Sequence, residues 1–279
     1  MRVPTPRQGT VIRRYTIRIG TKSMLITEHE SDFSTTFYIG GHDTYCIDVQ
    51  LMKPASRQDI TVGNFNKIRF DVNCSLEHNF KRGHDTNTLL QFILTYIHTK
   101  YPHVLRLRFN DASERTCDDG QVVSLAEMSY ITTGMTWYQK NFGAYLEGDD
   151  LEGFTTSEAS FQAIKASIPW ELMDDTMKNI HASPFPMDTD TMHSLYEDSS
   201  TWQQFFGGIR DAIGVAEFCR FVAPWLSRFM TRYFKRRLVY LTYTLPVKSW
   251  DISYTIGEYQ RGGKKFTRKN SRVRMRHGW

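Results

Sequence analysis

Cysteine is scarce in this chain and poorly spaced for chemistry. Cys46, Cys74, Cys117 and Cys219 are far apart and form no C-x-x-C pair, so neither a disulfide scaffold nor a zinc knuckle is expected. A reducing compartment is the expected setting. The sequence also lacks an apolar leader in MRVPTPRQGTVIRR and any apolar run of 18 residues. Secretion and membrane spanning are therefore not expected. No G-x-S-x-G, P-loop or H-E-x-x-H motif occurs. His78, His84, His98 and His103 fall into no metal-ligand spacing. The acidic pairs Asp149-Asp150 and Asp174-Asp175 read as solvated turns or helix-start acids rather than acid/base dyads.

What is present is ordinary for a globular protein: 279 residues, 40% apolar and 23% charged. The net charge of +5 is unevenly placed. Residues 261–279 hold Arg261, Lys264, Lys265, Arg268, Lys269, Arg272, Arg274 and Arg276 with no acid, and the rest of the chain is slightly acidic. Such a cluster attracts polyanions through counterion release without reading sequence. Nucleic acid and an acidic protein surface are both candidate partners.

Residues 9–73 read as short strands, TVIRRYTIRI, SMLITEH, TTFYIG, TYCIDVQLM and NKIRFDVNC, with a hairpin turn at Gly40-Gly41-His42-Asp43. Next comes the stretch around which the chain is organised, residues 80–146. Leu89, Leu90, Phe92, Ile93, Tyr96 and Ile97 fall on one helical face, and Pro102 stops that helix. Residues 104–109 alternate as a half-buried strand. A helix over residues 125–138 and a short aromatic strand over 142–146 close the unit. EGDDLEG reads as an acidic turn, and beyond it helices are expected at 157–167, 170–180, 189–197 and 201–213. Residues 205–245 are dense in aromatics and arginine. They either form core or present Trp225, Arg228, Arg232, Arg236 and Arg237 as interface anchors.

The order strand, loop, helix with paired Leu, strand ending in Asn, helix, and Tyr before Phe-Gly resembles the acetyl-CoA-binding half of GNAT-type N-acetyltransferases. The resemblance covers roughly residues 60–146, through Arg82, Gly83, His84, Asp85, Thr86, Asn87, Leu89, Leu90, Asn110, Tyr138 and Phe142-Gly143. It implies an α+β fold with a mixed, mostly antiparallel sheet and flanking helices over 1–148. A mainly helical region over 149–260 and a basic tail over 261–279 follow. It also implies acetyl-CoA as cofactor, Arg82, Gly83 and Asn110 at the cofactor, Tyr138 as the acid that reprotonates the thiolate, and Glu77 as general base. Two loop positions that the family fills with glycine hold Asp85 and Asn87 here. A carboxylate about 4 Å from a pyrophosphate charge costs roughly 4 kcal/mol at an effective dielectric near 20. Asp85 is accordingly expected as a helix-start residue in a lost cradle, and Tyr138 as a packing aromatic.

A narrower resemblance joins LRFNDAS, GMTWYQKNFGA and the GGKK-type basic end to uncharacterised proteins of nucleocytoplasmic large DNA viruses. It implies a virion component, such as a minor capsid or cement protein contacting the major capsid protein, located in the virion or host cytoplasm. The expected function is thus non-enzymatic binding, without cofactor or metal. The alternatives are an acyl-CoA-dependent N-acetyltransferase and a polyanion-binding accessory protein acting through the tail.

Overall fold

The computed structural model describes residues 11–40, 45–53, 61–68, 84–173 and 186–258. The described chain forms two compact units, one running to Phe109 and resuming at Pro246, the other spanning Asn110–Leu245. The sequence placed the division at 148/149 instead. The difference arises because the helices after residue 124 bury their apolar faces within the second unit.

The first unit is an antiparallel meander closed by one crossover. β1 (Val11–Ile19) and β2 (Lys22–Glu30) pair through a tight turn in which Gly20 has φ 58°, a left-handed conformation that glycine adopts without Cβ strain. β3 (Ser34–Gly40), β4 (Tyr45–Met52) and β5 (Thr61–Ile68) continue antiparallel, with a register shift between Asp48 and Val49. The expected strand over 66–74 thus begins earlier, at Thr61, and residues 69–74 lie outside the described residues. Gly63 on β5 is close-packed: a Cβ there would stand 2.4 Å from a methyl of Leu107 and 2.7 Å from one of Leu51.

From β5 the chain passes into α1 (His84–Lys100) and then β6 (Val104–Asn110), which runs parallel to β5. β11 (Tyr254–Glu258) pairs with β1, giving the strand order β11-β1-β2-β3-β4-β5-β6. A mixed, mostly antiparallel sheet with a helix joining parallel strands is the expected α+β arrangement.

α1 is buried more completely than its one-sided pattern suggests. Every residue from Phe92 to Ile97 is buried. One reason is the returning chain: the Trp250 N–H donates to Thr95 Oγ1 at 2.9 Å. Phe92 meets Tyr254 edge-on at 4.8 Å. On the sheet, Glu28 is fully buried yet satisfied. Tyr101 Oη donates to its Oε1 at 2.6 Å, and Lys100 Nζ binds Oε2 at 2.5 Å.

The second unit starts with a hairpin, β7 (Glu114–Thr116) and β8 (Val122–Ser124), where no strand was expected. The single expected helix over 125–138 is two. α2 (Leu125–Thr133) ends on Gly134 at φ 76°, and α3 (Trp137–Phe142) restarts with Thr136 and Gln139 forming a reciprocal capping box. The next strand is shorter than expected, β9 (Tyr145–Leu146), and pairs with β10 (Thr242–Pro246).

The acidic stretch 147–153 is not a turn. It opens α4 (Gly148–Ser167), where Asp149 and Asp150 occupy the first turn and favour the positive end of the helix dipole. α5 (Thr189–Asp198) follows. α6 (Trp202–Val222) starts on a second capping box, from Thr201 and Gln204, and breaks its helical geometry at Gly214. A short α7 (Leu226–Phe229) runs into a π-helical turn (Met230–Phe234) and, after Lys235 at φ 62°, a 3-10 turn (Leu238–Tyr240).

Apart from the exposed Tyr240, the aromatics of residues 205–245 are core. Phe161, Trp202, Phe206, Phe218, Phe221, Trp225, Phe229 and Phe234 are all buried. Trp202 donates its Nε1–H to the Phe161 carbonyl at 2.7 Å and stacks on Phe206 at 5.7 Å. Trp225 is 2% exposed, so it belongs to this core and not to an interface. A ring that size buries too much apolar area to be left at a surface when Phe206, Phe221 and Phe229 surround it.

The cysteine expectation is overturned. Cys117, in the β7–β8 hairpin, is bonded to Cys219 on α6 across 102 residues, with Cα atoms 5.7 Å apart. Cys46 is likewise disulfide-bonded, and no cysteine among the described residues is free. Wide sequence spacing hid the pairing because bridging distance is set by the fold.

Candidate functional site

The residues named for acetyl transfer do not assemble into one described site. Glu77, Arg82 and Gly83 lie outside the described residues, as does the basic cluster Arg261 to Arg276. Asp85 sits in the first turn of α1, 6% exposed, with its carboxylate against Lys22 of β2. Asn110 is structural: its Nδ2 donates to the Leu241 carbonyl at 3.1 Å within the second unit. The turn that follows is held by Asp111, whose Oδ1 accepts the Ser113 N–H at 3.2 Å. Tyr138 is buried in α3 against Trp137, and burial followed by the Asp111 carboxylate pushes its hydroxyl pKa upward. A phenol so enclosed has no open approach for a thiolate.

Of the arginines named as anchors, Arg228 is exposed and Arg232 lies over the Tyr233 ring at 5.2 Å. Arg236 lies flat on α4 where Gly153 leaves room, because a Cβ at 153 would stand 2.1 Å from the guanidinium. Its partner there is Asp150, at 3.9 Å. Arg237 points elsewhere. Its Nε donates to Glu127 Oε1 at 2.5 Å, and Glu127 is 1% exposed.

That ion pair lies in the wall of a cavity of about 480 Å³, within the size range of small-molecule sites. One wall is the hairpin and the start of α2: Ala112, Glu114, Val122, Val123, Ser124 and Glu127. The other is the end of α6, α7 and the 3-10 turn: Ala223, Leu226, Ser227, Arg237, Val239 and Tyr240. The Cys117–Cys219 bridge ties the hairpin to α6 within one turn of Ala223.

Local sequence explains how each group arrives. Ser124 caps α2 by accepting the Glu127 N–H at 3.2 Å. Ser124 and Glu127 have capping-box spacing, but the Glu127 side chain turns inward to Arg237 instead of back to the cap. Burial raises the Glu127 pKa, opposed by Arg237 and by the Leu238 N–H. On the opposite wall, the π-helical turn and the left-handed Lys235 redirect the chain so that Arg236 and Arg237, adjacent in sequence, serve different partners. Sequence analysis named Arg237 as a surface anchor and missed Glu127. The only local clue was S-x-x-E followed by an apolar run, which ordinarily means a helix start.

Beneath this wall lies a second buried acid. Asp111 is 2% exposed, burial raises its pKa, and its Oδ2 accepts no hydrogen bond among the described residues. Among the described residues no group of three or more His, Cys, Asp or Glu could hold a metal ion. Nor is any described helix long and apolar enough to cross a membrane. No family model, curated protein or solved structure matches this chain.

Proposed function

We propose that the chain is a non-enzymatic binding protein, a virion component of the minor-capsid or cement type that contacts larger shell proteins. The observation that carries the non-enzymatic part is at the start of α1. There a carboxylate, Asp85, occupies the turn that would have to receive a pyrophosphate, and its counter-charge is Lys22. A ligand phosphate would have to displace that pair and then face the freed carboxylate. The buried Tyr138 supports the same reading. The paired cysteines support a particle that persists in an oxidising setting, since disulfides are stable on virion surfaces and rare in reducing compartments.

The competing reading is an acyl-CoA-dependent N-acetyltransferase built on the β5–α1–β6 unit, whose parallel strands and intervening helix fit the resemblance. A thermal-shift titration with acetyl-CoA and with CoA separates the two. No rise in melting temperature up to millimolar ligand is expected. A concentration-dependent rise would overturn the non-enzymatic reading, because a ligand that binds only the folded state must stabilise it. The virion assignment has its own test. Mass spectrometry of purified particles should detect the chain in constant ratio to the shell protein, and its absence would sink that assignment.

A further inference from the structure

The cavity between the β7–β8 hairpin and the α7 segment is distinctive for its spare hydrogen-bond donors. Arg237 spends its Nε on Glu127, while its two terminal nitrogens have no partner among the described residues. Ser124 uses its oxygen to accept the Glu127 N–H, which leaves its O–H to donate. The Ser227 hydroxyl makes no bond among the described residues, while its carbonyl accepts from Thr231 Oγ1 at 2.9 Å and from the Met230 N–H. Tyr240 stands at the mouth, 76% exposed. Between these donors the wall is apolar, with Val122, Leu226 and Val239.

We propose that this cavity is a binding site for a monoanionic carboxylate carried on an apolar body, with Arg237 as its anchor. A guanidinium offers two parallel N–H groups to a carboxylate, and the pairing is strongest where water is excluded. Two acids limit the charge the site accepts. Glu127 already offsets much of the Arg237 charge, and Glu114 sits on the same wall. A dianionic phosphate would be repelled by both, whereas a carboxylate brings half that charge. The volume suits a single apolar residue or a short acyl chain. The head group could thus be the C-terminal residue of a partner chain or a free small acid. The inference rests on the cavity alone and stands whether or not the chain is found in particles.

The test is calorimetric titration of the full, oxidised chain with four probes: N-acetyl-leucine, N-acetyl-leucinamide, hexanoate and inorganic phosphate. N-acetyl-leucine should bind at least roughly tenfold more tightly than its amide and than phosphate, the amide differing only in the missing charge. Hexanoate binding as tightly as N-acetyl-leucine identifies a free acid as the ligand, and a preference for the peptide-like probe identifies a chain terminus. Arg237→Gln should weaken N-acetyl-leucine binding by about tenfold or more. Because that substitution strips the buried Glu127 of its partner, Ala112→Phe at the exposed rim gives a second route. It fills the cavity without touching the ion pair and should also abolish binding. Equal affinity for acid and amide, no binding of any probe at millimolar concentration, or unchanged binding in Ala112→Phe would each overturn the proposal.

Discussion

Asp111 is a buried carboxylate whose environment opposes its ionised form. Its Oδ1 is held by the Ser113 N–H and hydroxyl, while its buried Oδ2 meets no donor among the described residues. Burial is the dominant cause of its raised pKa, and the Ser113 bonds only partly oppose it. The folded state therefore binds this proton more tightly than the unfolded chain does. The resulting cost is present at neutral pH and shrinks as pH falls through the raised folded value. It is gone below the ordinary carboxylate range, where both states are protonated. Asp111→Asn keeps the oxygen that Ser113 needs and removes the charge. It should raise stability at pH 7 by roughly 1 kcal/mol and show no advantage near pH 3, as read by urea unfolding at the two pH values. An equal advantage at both would mean that packing, and not charge, governs this site.

At the scale of elements, α6 is fitted to its neighbours by two adjacent glycines whose roles differ. A Cβ at Gly207 would stand 3.1 Å from the backbone carbonyl of Thr132 on α2, while one at Gly208 would meet the terminal methyls of Leu195 on α5, the nearest at 2.7 Å. Alanine gains about 1 kcal/mol of helix propensity over glycine at either position. A backbone carbonyl cannot turn aside, so Gly207→Ala should be net destabilising by about 1 kcal/mol, overpacking exceeding the propensity gain. The half-exposed Leu195 can rotate, so Gly208→Ala should lie within about 1 kcal/mol of the parent. Denaturant midpoints of the two variants check the order, and Gly208→Ala proving the more damaging would refute it. The helix boundary at Gly134 was also legible in principle. G-M-T-W-Y-Q contains both the glycine that stops α2 and the Thr136-x-x-Gln139 box that starts α3, but Leu125, Met128, Ile131, Met135, Tyr138 and Phe142 keep a helical spacing across it and masked both.

For the molecule as a whole, the disulfide between Cys117 and Cys219 is a covalent constraint spanning 102 residues. Closing a loop of 102 residues removes unfolded-state freedom worth about 5 kcal/mol in the chain-entropy account. Because the bond ties one wall of the cavity to the other, reduction should lower the melting temperature by roughly 10 °C. It should also weaken N-acetyl-leucine binding, and Cys117→Ser, which opens the same bond, should weaken it to a similar extent. Unchanged melting in reductant, with thiol alkylation confirming that the bond was opened, would remove the clamp from this account.

The sequence by itself determined the strands β1 to β4, α1 and the start of α6. Alternation, helical periodicity and capping residues act over a few neighbours, and their physics is complete within the segment. It also marked the aromatic region as either core or interface, because so many large rings need a surface to bury against. Only the tertiary structure decided which residues meet. The Cys117–Cys219 pair, the Glu127–Arg237 pair separated by 110 residues, and the cavity between them arise from packing one wall on another. The same applies to Trp225, for which core and interface were both open until neighbours far along the chain buried it, whereas Tyr138 was already expected as a packing aromatic. Local rules fix what an element is. Distance, burial and spare hydrogen-bond donors, from which a site is made, exist only once the elements are assembled.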